Sequence, residues 1–188
     1  MLRHSHSFRS EKEAGVTQDD RSAPSAITLA WDGSPAAAAQ ASAFAGRIIG
    51  GDTAYISHGE IQTGLSIDAD TWAPALADLY ADDFAALGDD RDLLLARDAQ
   101  GAILGMAVVA WEQTARRRFA VLEDMAVAPK ARSHGIGTRL MAMIEERVRG
   151  AGIDWLFLES GVRNTRAHAF FERAGFTMTS HVFARQLR

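Results

Sequence analysis

The chain contains no cysteine, which excludes disulfides, thiolate metal ligation and a cysteine nucleophile. It also lacks any apolar run near the roughly 18 residues needed to span a bilayer, and Met1 to Ser25 lack the apolar core of a secretory signal. A cytoplasmic location is the default expectation. No G-x-x-x-x-G-K-(S/T) run occurs, so a P-loop nucleotide hydrolase is not expected. Neither sign of charge dominates: 20 Lys and Arg against 24 Asp and Glu give a net charge of −4. Neither nucleic acid nor a membrane is therefore expected as a partner. What is present, 188 residues of which 47% are hydrophobic and 23% charged, suits one globular domain with a sizeable core.

Residues 1–25 are rich in Ser, Arg, Glu, Asp and Gln and are expected to form a flexible tail, leaving 26–188 as a single domain. His4 and His6 alternate in that tail, but two histidines there are not expected to make a metal site, and none is expected elsewhere. Ala26 to Trp31 reads as a strand, and Ser34-Pro35 caps and opens a helix that Gly50-Gly51 stops. Residues 52–70, which include Tyr55, His58, Glu60 and Gly64, follow no period and receive no assignment. Asp70 or Thr71 is expected to cap a second helix running through Trp72, Leu76, Tyr80 and Phe84 to Gly88. Asp92 to Arg97 and Ala102 to Glu112 should pair antiparallel across Asp98-Ala99-Gln100-Gly101. A basic turn at Arg116-Arg117-Arg118 leads into a strand from Phe119 to Val127 that carries the adjacent carboxylates Glu123 and Asp124.

The chain is organised around Val127 to Leu140, a strand end, a proline turn and an R-x-x-G-x-G loop on Arg132, Gly135 and Gly137. The glycines would let backbone N–H groups approach an anion, and the helix behind them adds a favourable dipole. This is the chemistry of a pyrophosphate cradle. Ile136, Leu140, Ile144 and Val148 form a core-facing stripe on that helix. Asp154 to Ser160 reads as a strand buried on both faces. Asn164 caps a last helix bearing Ala167, Phe170, Phe171 and Ala174, ended by Gly175, and Phe176 to Leu187 is strand-like. The order implies a mixed α/β sheet with a right-handed parallel crossover from the fourth strand to the fifth.

LEDMAVAPKARSHGIGTRLM (Leu122 to Met141) and NTRAHAFFERAGF (Asn164 to Phe176) together resemble the GNAT superfamily of N-acetyltransferases. The ending is similar to its small-molecule amine branch, which includes aminoalkylphosphonate acetyltransferases. The resemblance implies a mostly antiparallel, twisted central sheet of six to seven strands with a parallel splayed pair in the middle, flanked by about four helices. It implies acetyl-CoA as co-substrate, held by Met125, Val127, Arg132, Ser133, His134, Gly135, Ile136, Gly137, Thr138, Asn164, Ala167 and Phe171. The implied reaction is attack of a primary amine of a small molecule on the thioester through a tetrahedral intermediate. A protein or peptide acceptor and an acyl-CoA-binding regulatory module without turnover are the alternatives. A homodimer is left open.

An alkyl amine is mostly protonated at pH 7, so its activation costs roughly 4 kcal/mol without a base. Glu123 is the first candidate for that base and Asp124 the second, because neighbouring strand residues face opposite sides unless a bulge intervenes. Either carboxylate could instead be structural. The family places an oxyanion donor at the backbone N–H corresponding to Met125, and a tyrosine general acid where this chain has Phe171. Phe171 has no proton to give, which leaves His168, His181, water or departure as thiolate.

Overall fold

The computed structural model describes residues 26–187, so the expected tail and its two histidines lie outside the described residues. A five-stranded sheet in the order β1-β2-β3-β4-β5 is built from β1 (Thr28–Trp31), β2 (Arg91–Arg97), β3 (Ile103–Gln113), β4 (Arg118–Val127) and β5 (Leu156–Leu158). The first four pair antiparallel in sequence order, and β4 pairs parallel with β5 across helix α4 (Ile136–Gly150). Four more helices follow the chain: α1 (Pro35–Ile48), α2 (His58–Thr63), α3 (Leu76–Ala85) and α5 (Thr165–Arg173).

The run Leu93-Leu94-Leu95-Ala96 in β2 is buried throughout because strand residues alternate and both sheet faces are covered. Leu93 and Leu95 join Met106, Val108, Phe44, Tyr80 and Phe84 on the face under α1 and α3. Leu94 and Ala96 join Ala107, Val109, Leu122, Ile136, Leu140 and Ile144 on the face under α4, and Phe170 and Phe171 of α5 pack against this second cluster. The α1 helix starts as its sequence implies, with Ser34 Oγ accepting from Ala37 N at 3.2 Å and Pro35 in the first turn.

Several expectations are corrected. The described sheet has five strands rather than six to seven, and its parallel pair lies at the β5 edge rather than in the middle. The expected last strand, Phe176 to Leu187, joins no strand of the described sheet. Phe176 N closes the end of α5 on Phe171 O, and beyond it Met178, Val182, Phe183 and Leu187 are exposed. An extended segment without a ladder partner is not a strand. The second helix begins at Leu76 instead of Asp70 or Thr71. Pro74 disfavours helical geometry at Ala73, which is tied back by Ala73 N to Leu65 O, and Trp72 bridges Ser66. The fifth strand is not buried on both faces: Phe157 is exposed and stacks on Trp155 outside the sheet. No described helix is long and apolar enough to cross a membrane.

Candidate active site

The site begins with a fault in the sheet. Val108 pairs with Asp124 and Val109 with Leu122, so Glu123 is an extra residue without a partner on β3. A bulge of this kind re-aims the side chains that follow it. Leu122 stays under α4, whereas Asp124 turns to the opposite face and meets the 3₁₀ turn Thr53–Tyr55. Tyr55 Oη donates to Asp124 Oδ1 at 2.9 Å and accepts from Met125 N at 3.2 Å. Burial pushes the Asp124 carboxyl up to about 7. The Tyr55 hydrogen bond opposes this, while Glu60, Asp83 and Glu123 add to it. Burial, followed by the Asp124 carboxylate, holds the Tyr55 hydroxyl well above the usual tyrosine value, so it stays neutral.

Glu123 faces differently. Its carboxyl sits 3.5 Å from the Arg91 guanidinium, which also binds Asp83 at 3.0 Å. Partial burial raises the Glu123 carboxyl and Arg91 offsets part of that rise. Of the two expected carboxylates, Glu123 lines a cavity of about 410 Å³ and Asp124 does not. Met125, Val127, Arg132, Ser133, Gly135, Ile136, Gly137, Thr138, Asn164, Ala167 and Phe171 line the same cavity. His134 does not, and its Nδ1–H donates to Arg132 O at 2.9 Å on an exposed loop. His168 and His181 are also absent from the cavity wall.

The two glycines of the loop do different work. Gly135 caps α4 at φ 73°, a conformation that costs an L side chain roughly 1 kcal/mol, although a Cβ there would meet nothing within 4 Å. Gly137 makes room: an added Cβ would stand 3.3 Å from the Phe170 ring and 3.6 Å from the Met125 methyl. Ser133 shares the left-handed geometry at φ 67°. Arg132 Nε donates to Val127 O at 3.2 Å and ties the loop to the end of β4. No side chain caps α4, and Ile136, Gly137 and Thr138 of its first turn line the cavity, so the N–H groups that a helix start leaves without intrahelical partners lie beside that space.

Asn164 caps α5 as expected, its Oδ1 accepting from Ala167 N at 3.3 Å. Phe171 stands edge-on between Phe170 and Phe176, at centroid distances of 5.4 and 5.8 Å, and offers no proton. Among the residues of the cavity wall that escaped the sequence reading are Ser160 and Tyr55. Ser160 Oγ is buried without a hydrogen-bond partner. Tyr55 arrives from the stretch without a period, and the only local signal was Asp52, whose Oδ1 accepts from Ala54 N at 3.0 Å to start the turn. That turn rests on the loop after β5. An added Cβ on Gly161 would fall 2.3 Å from Ala54 O and 2.4 Å from Ile56 O, while Arg163 donates to Thr53 O at 3.1 Å and Ala69 O at 2.7 Å. Trp72 completes the surroundings, its ring centroid 6.5 Å from that of Tyr55.

Residues 60–176 match the model of a family described as acetyltransferase (GNAT) family. An IAA acetyltransferase of Azospirillum brasilense is 33% identical over 87 residues, which are 46% of this chain and 55% of that protein. An aminoalkylphosphonate N-acetyltransferase of Salmonella typhimurium is 30% identical over 66 residues, 35% of this chain and 43% of that one. The chain thus spans about half the length of the curated relatives it matches. Among solved structures, a tetramutant of the BH1408 protein from Bacillus halodurans superposes with a TM-score of 0.67 at 17% identity, covering 85% of this chain and 99% of that one.

Proposed function

The chain belongs to the acetyltransferase (GNAT) family, and from that premise we propose that it transfers an acetyl group from acetyl-CoA to the primary amine of a small molecule. The observation that carries this reading is one cavity walled by both family motifs and by the bulge of β4. Its residues suit acetyl-CoA. The uncapped N-terminus of α4 with Gly135 and Gly137 offers backbone donors to a diphosphate, Val127 borders the cavity at the end of β4, and Ser160 Oγ is an orphaned polar atom on the wall. When bound, acetyl-CoA supplies a thioester carbonyl open to a neutral amine.

The chain's own residues then have three tasks. Arg132, Ser133 and the first turn of α4 would hold the diphosphate. Met125 N–H would stabilise negative charge on the carbonyl oxygen, which requires it to exchange its 3.2 Å bond to Tyr55 for the new acceptor. A base must take the ammonium proton, and the carboxylates at the bulge are the candidates. Asp52 and Tyr55 line the same cavity and would stand beside a small acceptor there. The aminoalkylphosphonate acetyltransferase among the relatives agrees with such an acceptor.

Thermal unfolding with and without millimolar acetyl-CoA, followed by thiol release over a panel of amines, tests the reading. Stabilisation together with release on at least one small amine is expected. No stabilisation would overturn it. Phe171, which cannot protonate a leaving thiolate, favours a second reading, an acyl-CoA-binding module without turnover, and stabilisation without release on any amine would support that one.

A further inference from the structure

Two carboxylates flank the bulge, and they differ in what they are committed to. Glu123 reaches the cavity but pairs with Arg91, itself anchored to Asp83. Asp124 makes no ion pair among the described residues and does not border the cavity, and the group that links it to that space is the Tyr55 hydroxyl, whose residue lines the wall. A phenol oxygen carries one proton and accepts through two lone pairs. Here the proton goes to Asp124 and one lone pair takes Met125 N–H, which leaves one acceptor position on a neutral hydroxyl.

We propose that Tyr55 is a catalytic proton-transfer residue that carries the proton of the acceptor amine from the cavity to the Asp124 carboxylate. The inference rests on the acetyltransferase reading above. In the step, an N–H bond of the ammonium breaks and its proton bonds to Tyr55 Oη while the hydroxyl's original proton bonds to Asp124 Oδ1. Tyr55 is neutral before and after, the amine becomes neutral and nucleophilic, and Asp124 becomes the neutral acid. The nitrogen loses its second proton to the departing sulfur as the acetyl–sulfur bond gives way to the amide. Asp124 returns its proton to solvent along the same hydroxyl, so one proton is released for each acetyl group moved. The charge state of Asp124 answers to its neighbours on every side: Tyr55 on the 3₁₀ turn, Glu60 on α2, Tyr80 and Asp83 on α3, and Glu123 beside it on β4. A carboxyl whose proton affinity lies near neutrality suits a base working at pH 7.

The test measures thiol release from pH 5.5 to 9 for wild type, Tyr55→Phe, Asp124→Asn and Glu123→Gln, using acceptor amines that span a wide range of basicity. Tyr55→Phe and Asp124→Asn should each lower kcat for strongly basic amines by about 10²-fold or more. The double variant should be little worse than either single one, because the two groups act in one step. The loss should shrink toward wild type for weakly basic amines that are already neutral at the assay pH. Glu123→Gln should keep the acidic limb of the rate, and acetyl-CoA should bind all variants within threefold of wild type.

Independently of turnover, infrared titration of the ligand-free protein should show the Asp124 carboxyl moving upward in Tyr55→Phe, because the hydroxyl that favours its ionised form is gone. Equal losses on weakly and strongly basic amines would mean that Tyr55 only braces β4 and would overturn the proposal. So would an acidic limb that survives Asp124→Asn and vanishes in Glu123→Gln. If Tyr55→Phe fails to fold, the amine series on Asp124→Asn decides alone. Wild type that is stabilised by acetyl-CoA but turns over no amine overturns the acetyltransferase reading and this proposal with it, a result distinct from an active wild type with an unimpaired Tyr55→Phe.

Discussion

Asp124 is held in the folded chain with a higher proton affinity than it has unfolded, about 7 against an ordinary 3.8. A raised carboxyl binds its proton more tightly in the folded state, so its contribution to stability is complete below the unfolded value and is lost as pH rises through about 7. Asp124→Asn keeps an oxygen for the Tyr55 hydroxyl and removes the buried charge. Its unfolding free energy should exceed that of wild type at pH 8 by up to roughly 4 kcal/mol, and the gain should disappear near pH 4, as denaturant melts at the two pH values would show. Stability gained with activity lost is the expected signature of a strained functional group. Phe171→Tyr, by contrast, adds one hydroxyl at the wall of a cavity and should leave unfolding free energy within about 0.5 kcal/mol. Calorimetry checks the fold, and the same protein in the thiol-release assay shows whether an acid restored at this position raises kcat.

The glycine loop and the helix it opens separate two demands that one motif places on the sequence. Gly135→Ala puts a side chain into left-handed backbone with open space around it and should cost about 1 kcal/mol in unfolding free energy. Gly137→Ala sits in ordinary helical backbone but presses on the Phe170 ring. Helix propensity, worth up to about 1 kcal/mol, then opposes the contact, so stability should change little while the displaced ring weakens acetyl-CoA binding. Isothermal titration beside a thermal melt distinguishes the two. Elements with a local signature were readable in the sequence: Ser34-Pro35 at the start of α1, the stripe of α4, and Asn164 at the start of α5. The start of α3 was misread because Trp72 has the helical spacing but is used in a bridge to Ser66, and Pro74 breaks the run. The hairpin of β2 and β3 was placed within a residue or two because two continuous apolar runs and the glycine turn between them mark it.

Over the whole molecule, the site depends on contacts that no local pattern carries. Tyr55 meets Asp124 across 69 positions of sequence, and the turn that presents it is seated against Gly161 and clasped by Arg163. The glycine motif and both carboxylates were visible because each belongs to one short stretch. The direction of Asp124 was not, since it follows from a register shift between β3 and β4 that sequence alternation cannot report. Gly161→Ala should therefore act at a distance. Its Cβ would collide with Ala54 O and Ile56 O, push the Tyr55 turn from β4 and lower kcat at least tenfold, while acetyl-CoA still raises the melting temperature. Steady-state rates and melts of that one variant check both halves.

The placement of Trp72 has an optical consequence. The chain has four tryptophans, and three have their contacts elsewhere: Trp31 lies under the Arg147 guanidinium at 4.6 Å, Trp111 donates to Asp92 at 2.9 Å, and Trp155 is stacked on Phe157. Trp72 alone adjoins the Tyr55 ring, and its indole N–H is buried without a hydrogen-bond partner. Its fluorescence should emit toward the blue, collect excitation from the neighbouring phenol and change when the hydroxyl's surroundings change. The protein thus carries its own unlabelled reporter of events at the bulge, and Trp72→Phe is the blank against which that signal is read.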